Sequence, residues 1–325
     1  MNWRGKRVLV TGAGGFIGSH LVERLIELGA DLRCFVRYTS RGETRFLEVI
    51  KDKVEIVAGD LRDSDAVEEA VRGREVVFHL GALVGIPYSY LHPREVVETN
   101  IIGSLNILLA SRNQRVEKVI HTSTSEVYGT AKYVPIDEAH PLQGQSPYSA
   151  SKIGADKIAE SFYNSYDLLV AIARPFNAYG PRQSARAVIP TIITQALTSG
   201  EIKLGNTLPT RDFTYVSDTV EGFIKIATSS ASVGEVINIG SGYEISIGDL
   251  VNKIVGLIGG DIQVVVDQAR VRPEKSEVDR LWADNYKAKR LIGWEPKVSL
   301  EEGLERTIDW IKGSLDTYRP EEYSI

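Results

Sequence analysis

Residues 7–18 read Arg-Val-Leu-Val-Thr-Gly-Ala-Gly-Gly-Phe-Ile-Gly, an apolar run that breaks directly into glycines. Behind it Ile17, Leu21, Val22, Leu25 and Leu28 recur with helical period. The order is strand, glycine turn, helix. Glycines at such a turn let the backbone approach a pyrophosphate, and the helix N-terminus offers it free N–H groups and partial positive charge. The spacing is Gly-x-x-Gly-x-x-Gly, and Gly12, Gly15, Phe16 and Ile17 are the expected dinucleotide contacts. A soluble α/β protein follows: a doubly wound parallel sheet, Rossmann-like, with a smaller C-terminal α/β lobe.

An acidic residue about 20 positions past the glycines would hold a ribose 2′-hydroxyl. After the apolar run 32–36 that place is taken by Arg37, with Ser40 and Arg41 close behind. Two guanidinium groups and a hydroxyl suit the charge-assisted hydrogen bonds of a 2′-phosphate, so NADP is expected in preference to NAD. The plainer alternative is a solvated basic loop over bound NAD. Further apolar runs end in Gly59-Asp60-Leu61-Arg62 and His79-Leu80-Gly81-Ala82, adding Asp60, Leu61, Leu80 and Ala82 to the expected cofactor contacts. Asp60 either caps the next helix or bonds the adenine, and the sequence leaves both open.

The chemistry concentrates between Ser123 and Lys152. Tyr148 and Lys152 stand four residues apart behind Ser146 and Pro147, an N-cap and first helical residue, so they share a helix face. A fixed ammonium beside a tyrosine favours the phenolate, and a lowered Tyr148 pKa is expected. Ser123, Thr124, Ser125 and Glu126 follow the apolar pair Val119-Ile120, at the carboxyl end of a buried strand where open parallel sheets bind ligands. The bland alternatives are a surface i,i+4 pair, turn chemistry at the serines and a solvated Glu126.

With 325 residues the chain can form one large or two modest domains. We expect residues 1–180, joined by about 211–240, to bind the dinucleotide, and residues 181–325 mainly to form a substrate lobe. The net charge of -5 without a dense Lys/Arg tract speaks against nucleic acid and gives a membrane surface no support. One cysteine, Cys34, fits a reducing cytoplasm, and no stretch reads as a membrane span or signal peptide. Five scattered histidines lack ligand spacing, so no metal is expected. Residues 93–111 read as one helix, apolar over too much of its circumference for a single buried face. A homodimer is expected from it, with two-sided burial inside the chain as the alternative. After residue 180 the strand–helix alternation is expected to stop, and Arg182, Arg186, Arg211 and Arg272 stand near Gly and Pro. Such arginines are usually solvated, yet several in a substrate lobe suit a diphosphate.

Thr11-Gly-Ala-Gly-Gly-Phe-Ile-Gly18, Gly59-Asp-Leu61, Tyr148-Ser-Ala-Ser-Lys152, Arg174-Pro-Phe-Asn177, Arg211-Asp-Phe-Thr-Tyr-Val216 and Asn238-Ile-Gly240 together resemble the extended short-chain dehydrogenase/reductase family over essentially the whole chain. That resemblance implies a nucleotide-diphosphate sugar as substrate, gripped by the C-terminal lobe with Asn177, Val188 and the four arginines. Ser123-Thr-Ser-Glu-Val-Tyr-Gly129 resembles the 4,6-dehydratases. The GDP-mannose branch has a similar Thr-Ser-Glu, whereas the dTDP-glucose branch carries an aspartate where Ser125 stands. Ser146 to Asp156, Pro181 to Pro190 and Arg272 to Val278 are most similar to the legionaminic acid pathway dehydratases, which act on a nucleotide-linked N-acetylglucosamine.

The resemblance implies roles at single positions. Thr124 holds the sugar 4-hydroxyl, Tyr148 takes its proton, and Lys152 holds the nicotinamide ribose. Glu126 removes the carbon 5 proton, and either Ser125 through a water or Glu126 itself assists loss of water from carbon 6. The hydride stays on a tightly bound cofactor between the two transfers. UDP-glucuronate decarboxylases share the Ser-Thr-Ser-Glu motif, and 4-epimerases share the Tyr/Lys pair. A non-catalytic NADP-binding protein is the alternative outside enzymes.

Overall fold

The computed structural model describes residues 1–39, 44–260 and 262–318. Ser40 and Arg41 lie outside the described residues. In chain order the first half runs β1 Arg7–Thr11, α1 Phe16–Glu27, β2 Asp31–Arg37, β3 Glu55–Gly59, α2 Ser64–Val71, β4 Val76–His79, α3 Ile86–Leu91, α4 Pro93–Val97, α5 Gly103–Asn113 and β5 Lys118–Thr122. Then come α6 Pro147–Tyr166, β6 Val170–Pro175, β7 Asn177–Tyr179, α7 Val188–Thr198, β8 Glu201–Leu204, β9 Thr210–Tyr215, α8 Val216–Thr228, β10 Val236–Ile239, β11 Glu244–Ser246, α9 Ile247–Ile258, β12 Gln263–Val266, α10 Tyr286–Ile292 and α11 Leu300–Lys312.

Seven parallel strands form the main sheet in the order β10-β6-β5-β4-β1-β2-β3. Successive strand side chains point to opposite faces, so each strand feeds two cores. Leu9, Val77, Val119 and Val170 pack under α2, α5 and α6, with Ile107, Leu108 and Phe162. Val8, Val10, Phe78 and Ile120 face the other way, against Leu21, Val22 and Leu25 of α1 and Val220, Phe223 and Ile224 of α8. The sheet is therefore doubly wound, as the sequence implied.

Beyond residue 180 the alternation does not stop. Short strands build a three-stranded sheet, β11-β9-β7, and a parallel pair, β12-β8. Ile189, Ile192, Ile193, Leu250, Ile254, Leu304 and Ile308 from α7, α9 and α11 share one apolar cluster with Phe213 and Tyr215 of β9. Strands of three to six residues are too brief to announce themselves by period.

Residues 93–111 form one continuous helical run, as expected, with helical dihedrals at both internal junctions, Glu98 and Gly103. A π-helical turn, Glu98–Ile102, joins α4 to α5. Val96, Ile107 and Leu108 are buried inside the chain, while Val97 and Ile102 are 40% and 43% exposed.

Candidate active site

The dinucleotide cradle begins where β1 stops. Gly12 has φ +67°, and a Cβ there would approach the Gly81 nitrogen to 2.9 Å. At Gly18 a Cβ would collide with the Gly12 carbonyl, so turn and helix can close up only without side chains. Gly15 caps α1 without any side-chain hydrogen bond. The first-turn amides of Phe16 and Ile17 are thus left for an external acceptor, and the cradle suits a pyrophosphate.

Around it, Asp60 is locked by Arg62 through bonds of 3.0 and 2.6 Å. It does not cap α2. That work falls to Asp63, which accepts from the Asp65 and Ala66 amides. Leu61 is buried against Gly81 and Gly103, and Leu80 and Ala82 are half-buried at the end of β4. Arg37 ends β2, and its Nη2 lies 3.1 Å from Glu95 Oε1.

The second centre is where β5 meets α6. Ser146 accepts from the Ser149 amide while the Ser149 hydroxyl accepts from the Ser146 amide. With Pro147 at the first turn, this capping box fixes where α6 starts. Tyr148 and Lys152 therefore face the end of β5. Thr124 caps a 3-10 turn, Ser125–Tyr128, its Oγ1 accepting from the Glu126 amide at 3.3 Å. Thr124 and the charge of Glu126 both act on the Tyr148 hydroxyl, Thr124 favouring the phenolate and Glu126 opposing it. Ser125 is buried, whereas Thr124 and Glu126 on either side are half-buried.

One expectation reverses here. Burial raises the Tyr148 pKa, and the nearby charges of Glu126 and Asp156 push the same way. Lys152 does not offset this, because its Nζ donates to the Thr122 carbonyl at 2.6 Å and burial lowers its own pKa to about 8. Desolvation of the phenolate outweighs the ammonium.

Beneath these residues lies a polar hub that the sequence did not announce. Asp156, one turn past Lys152, accepts from Ser123 Oγ at 2.5 Å and Arg174 Nη2 at 2.8 Å. His121 Nε2 stands 3.2 Å from its other oxygen. Arg174 Nη1 donates to the Tyr128 hydroxyl, which donates to Asn238 Oδ1, each at 2.8 Å. Asp156 has no exposed surface and Arg174 only 2%. One acidic position four past Lys152 was the available signal, since i and i+4 share a face.

The four arginines separate. Arg211 is buried on β9 and shares Glu277 with Arg272, at 3.5 and 3.7 Å. Burial lowers the Arg211 pKa while Glu126 raises it, which places that guanidinium within the field of Glu126. Arg186 lies near Gly85 and Tyr88 across the cleft. Arg182 goes elsewhere, its Nη2 2.7 Å from Glu23 of α1 and its guanidinium over the Phe46 ring. Asn177 makes a long bond to the Asp212 carbonyl, 3.5 Å, and Val188 opens α7. The Tyr90 and Ser276 hydroxyls meet at 2.6 Å, and Ser276 donates to the Gln145 carbonyl. Among the described residues no group of three His, Cys, Asp or Glu side chains could hold a metal, and no helix is long and apolar enough to cross a membrane.

A bare glycine cradle on a doubly wound sheet, with tyrosine and lysine one helical turn apart beside it, defines an extended short-chain dehydrogenase/reductase. Within that class the chain belongs to the GDP-mannose 4,6-dehydratase family, whose model matches residues 9–307. The family is one of nucleotide-sugar 4,6-dehydratases with related epimerases and decarboxylases. A putative UDP-glucose 4-epimerase of Methanocaldococcus jannaschii is 34% identical, covering 95% of this chain and 100% of its own length. A UDP-N-acetyl-alpha-D-glucosaminuronate decarboxylase of Bacillus cytotoxicus is also 34% identical, over 94% of this chain and 98% of its own. Among solved structures, the dTDP-glucose 4,6-dehydratase DesIV of Streptomyces venezuelae, with NAD bound, superposes with a TM-score of 0.88 at 30% identity, covering 97% of this chain and 99% of its own.

Proposed function

We propose that this chain is a nucleotide-sugar 4,6-dehydratase whose substrate is UDP- or GDP-N-acetylglucosamine, and whose product is the 4-keto-6-deoxy sugar. The observation that carries this is Glu126, a half-buried carboxylate whose charge acts on both the Tyr148 hydroxyl and the Arg211 guanidinium. A carboxylate placed there can reach a carbon next to the one whose hydroxyl Tyr148 serves.

Gly12, Gly15, Phe16 and Ile17 would hold the pyrophosphate of a tightly bound NADP or NAD. Asp60, Leu61, Leu80 and Ala82 would flank it, and Lys152 would hold the nicotinamide ribose. When bound, that cofactor supplies the hydride acceptor for carbon 4 and the hydride donor for carbon 6. NADP is favoured because a guanidinium, Arg37, stands where a ribose-binding carboxylate would.

Thr124 holds the 4-hydroxyl oxygen and Tyr148 takes its proton as the phenolate, the minority form that its raised pKa leaves at neutral pH. The proton on carbon 5 becomes acidic once carbon 4 is a ketone, and Glu126 removes it. The same carboxyl then protonates the departing carbon 6 oxygen, and when hydride returns to carbon 6 one proton goes back to carbon 5, balancing the one that Tyr148 removed from the 4-hydroxyl. Ser125 is too deeply buried to share that step readily. Arg211 and Arg272 grip the diphosphate, with Arg186 and Asn177 on the approach and Val188 near the base. Residues 1–180 with about 211–240 carry the cofactor and 181–325 the sugar nucleotide. A cytoplasmic homodimer through the helices around Val97 and Ile102 completes the proposal, and analytical ultracentrifugation tests its assembly.

Incubation with UDP- and GDP-N-acetylglucosamine, GDP-mannose and UDP-glucuronate, without a redox partner, tests the reaction by product mass. Loss of one water from an acetamidohexose donor is expected. Loss of carbon dioxide from the glucuronate, or unchanged masses throughout, overturns it. Tyr148→Phe should block oxidation, whereas Glu126→Gln should oxidise and then stall before elimination. Full turnover by the glutamine variant removes Glu126 from the mechanism.

A further inference from the structure

Arg37 is not simply a cation waiting at the end of β2. Its Nη2 donates to Glu95 Oε1 at 3.1 Å, and the other Glu95 oxygen accepts from the Tyr88 hydroxyl at 2.5 Å. The hydrogen bond from Tyr88, with the charges of Arg37 and Arg62, holds the Glu95 pKa below the usual carboxylate value, so it is ionised at neutral pH. Asp60 also acts on Arg37 through its charge, while Arg62 clasps Asp60 and lies 3.9 Å from Glu98. Among the described residues, two guanidinium groups thus face three carboxylates. The glycine turn is next door: the Gly12 amide donates to the Phe35 carbonyl, two residues before Arg37.

A site built only to bind a 2′-phosphate would leave Arg37 unshared, because a dianion beside Glu95 meets repulsion as well as attraction. We infer that Glu95 is a specificity-determining residue for the cofactor's adenosine ribose, holding Arg37 from behind and offsetting its preference for a 2′-phosphate. This rests on the dinucleotide assignment above. The consequence is a preference for NADP that stays within about tenfold of NAD, with Arg37 drawn to the phosphate of one and held by Glu95 over the ribose diol of the other. Tyr88 serves by keeping Glu95 in place and ionised. Its helix, α3, also borders Arg186, so the carboxylate ties the adenosine end of the site to an arginine assigned to the sugar nucleotide.

The test is a competition. Purified protein is equilibrated with NAD and NADP together, freed of unbound nucleotide and denatured, and the released cofactors are quantified by chromatography. The wild-type affinities should fall within about tenfold of each other. Glu95→Gln keeps shape and removes charge, and should move the ratio about five- to tenfold toward NADP. Tyr88→Phe should move it the same way by less, and Arg37→Ala should move it toward NAD. Because the effect is electrostatic and exposed, the Glu95→Gln gain should shrink between about 0.05 and 0.5 M salt. An unchanged ratio in Glu95→Gln overturns the inference while leaving the cofactor assignment intact. Retention of neither nucleotide by the wild type overturns the cofactor assignment, and the inference with it.

Discussion

Arg174–Asp156 and Arg37–Glu95 are the same chemical pair at similar lengths, 2.8 and 3.1 Å, in opposite surroundings. In the first, the side chains are 2% and 0% exposed, whereas in the second they are 61% and 25% exposed. Water competes for one pair and not for the other, so the buried pair is fixed and the exposed one is exchangeable. An incoming phosphate can take Arg37 from Glu95 at small cost, since such pairs contribute about 1 kcal/mol or less. Nothing can take Arg174 from Asp156, because either charge left alone in the core is heavily penalised. One pair joins α6 to the ends of β5 and β6 and so holds Tyr148 opposite Thr124. The other can be adjusted by a ligand.

The widest break in this comparison should come from Arg174→Met. It leaves Asp156 without its guanidinium partner and should cost about 3–5 kcal/mol in urea unfolding. Adding Asp156→Leu should recover much of that loss, because an apolar pair replaces an orphaned charge. A loss in Arg174→Met no larger than that of Glu95→Gln would end the distinction. Ser123→Ala removes one hydrogen bond to the ionised Asp156 and keeps the ion pair, for an expected loss of about 1.5–3 kcal/mol.

Acid should separate the pairs next. Burial would raise Asp156, but the contact with His121 and the charge of Arg174 outweigh it and hold the carboxyl well below its ordinary range. A folded pKa below the unfolded one means stability that is complete above about pH 4 and lost as pH falls toward the folded value. Urea midpoints should therefore drop steeply below about pH 4 in the wild type and less steeply in Asp156→Asn. Glu95→Gln should be the smallest effect, within about 0.5 kcal/mol at neutral pH, with an acid limb that follows the wild type. A midpoint shift at Glu95 comparable to that of Ser123→Ala would show the exposed pair to be structural.

What could be read in the sequence was local. Arg7 to Gly18 showed strand, turn and helix start within a dozen residues, and Ser146-Pro147 placed Tyr148 and Lys152 on one helix face. The hub escaped because its partners come from Ser123, Asp156, Arg174 and Asn238, which no local period connects. The Tyr148 pKa came out in the wrong direction for a related reason. A neighbour at i+4 is visible in sequence, whereas the depth of burial and the Thr122 carbonyl that engages Lys152 are not. The arginines make the same point, since Arg182 turned to Glu23 and Arg211 to Glu277.

The packing of α8 on α1 sets a condition on how the protein is made. Leu21, Val22 and Leu25 have Val220, Phe223 and Ile224 as partners in the finished core, and α8 begins only at Val216. At ordinary translation speeds the interval is on the order of ten to forty seconds. Throughout it the apolar strip on α1 is outside the ribosome without its native cover, in a chain whose sheet also awaits β10. That strip would offer a nascent-chain chaperone a long-lived apolar binding site on this molecule.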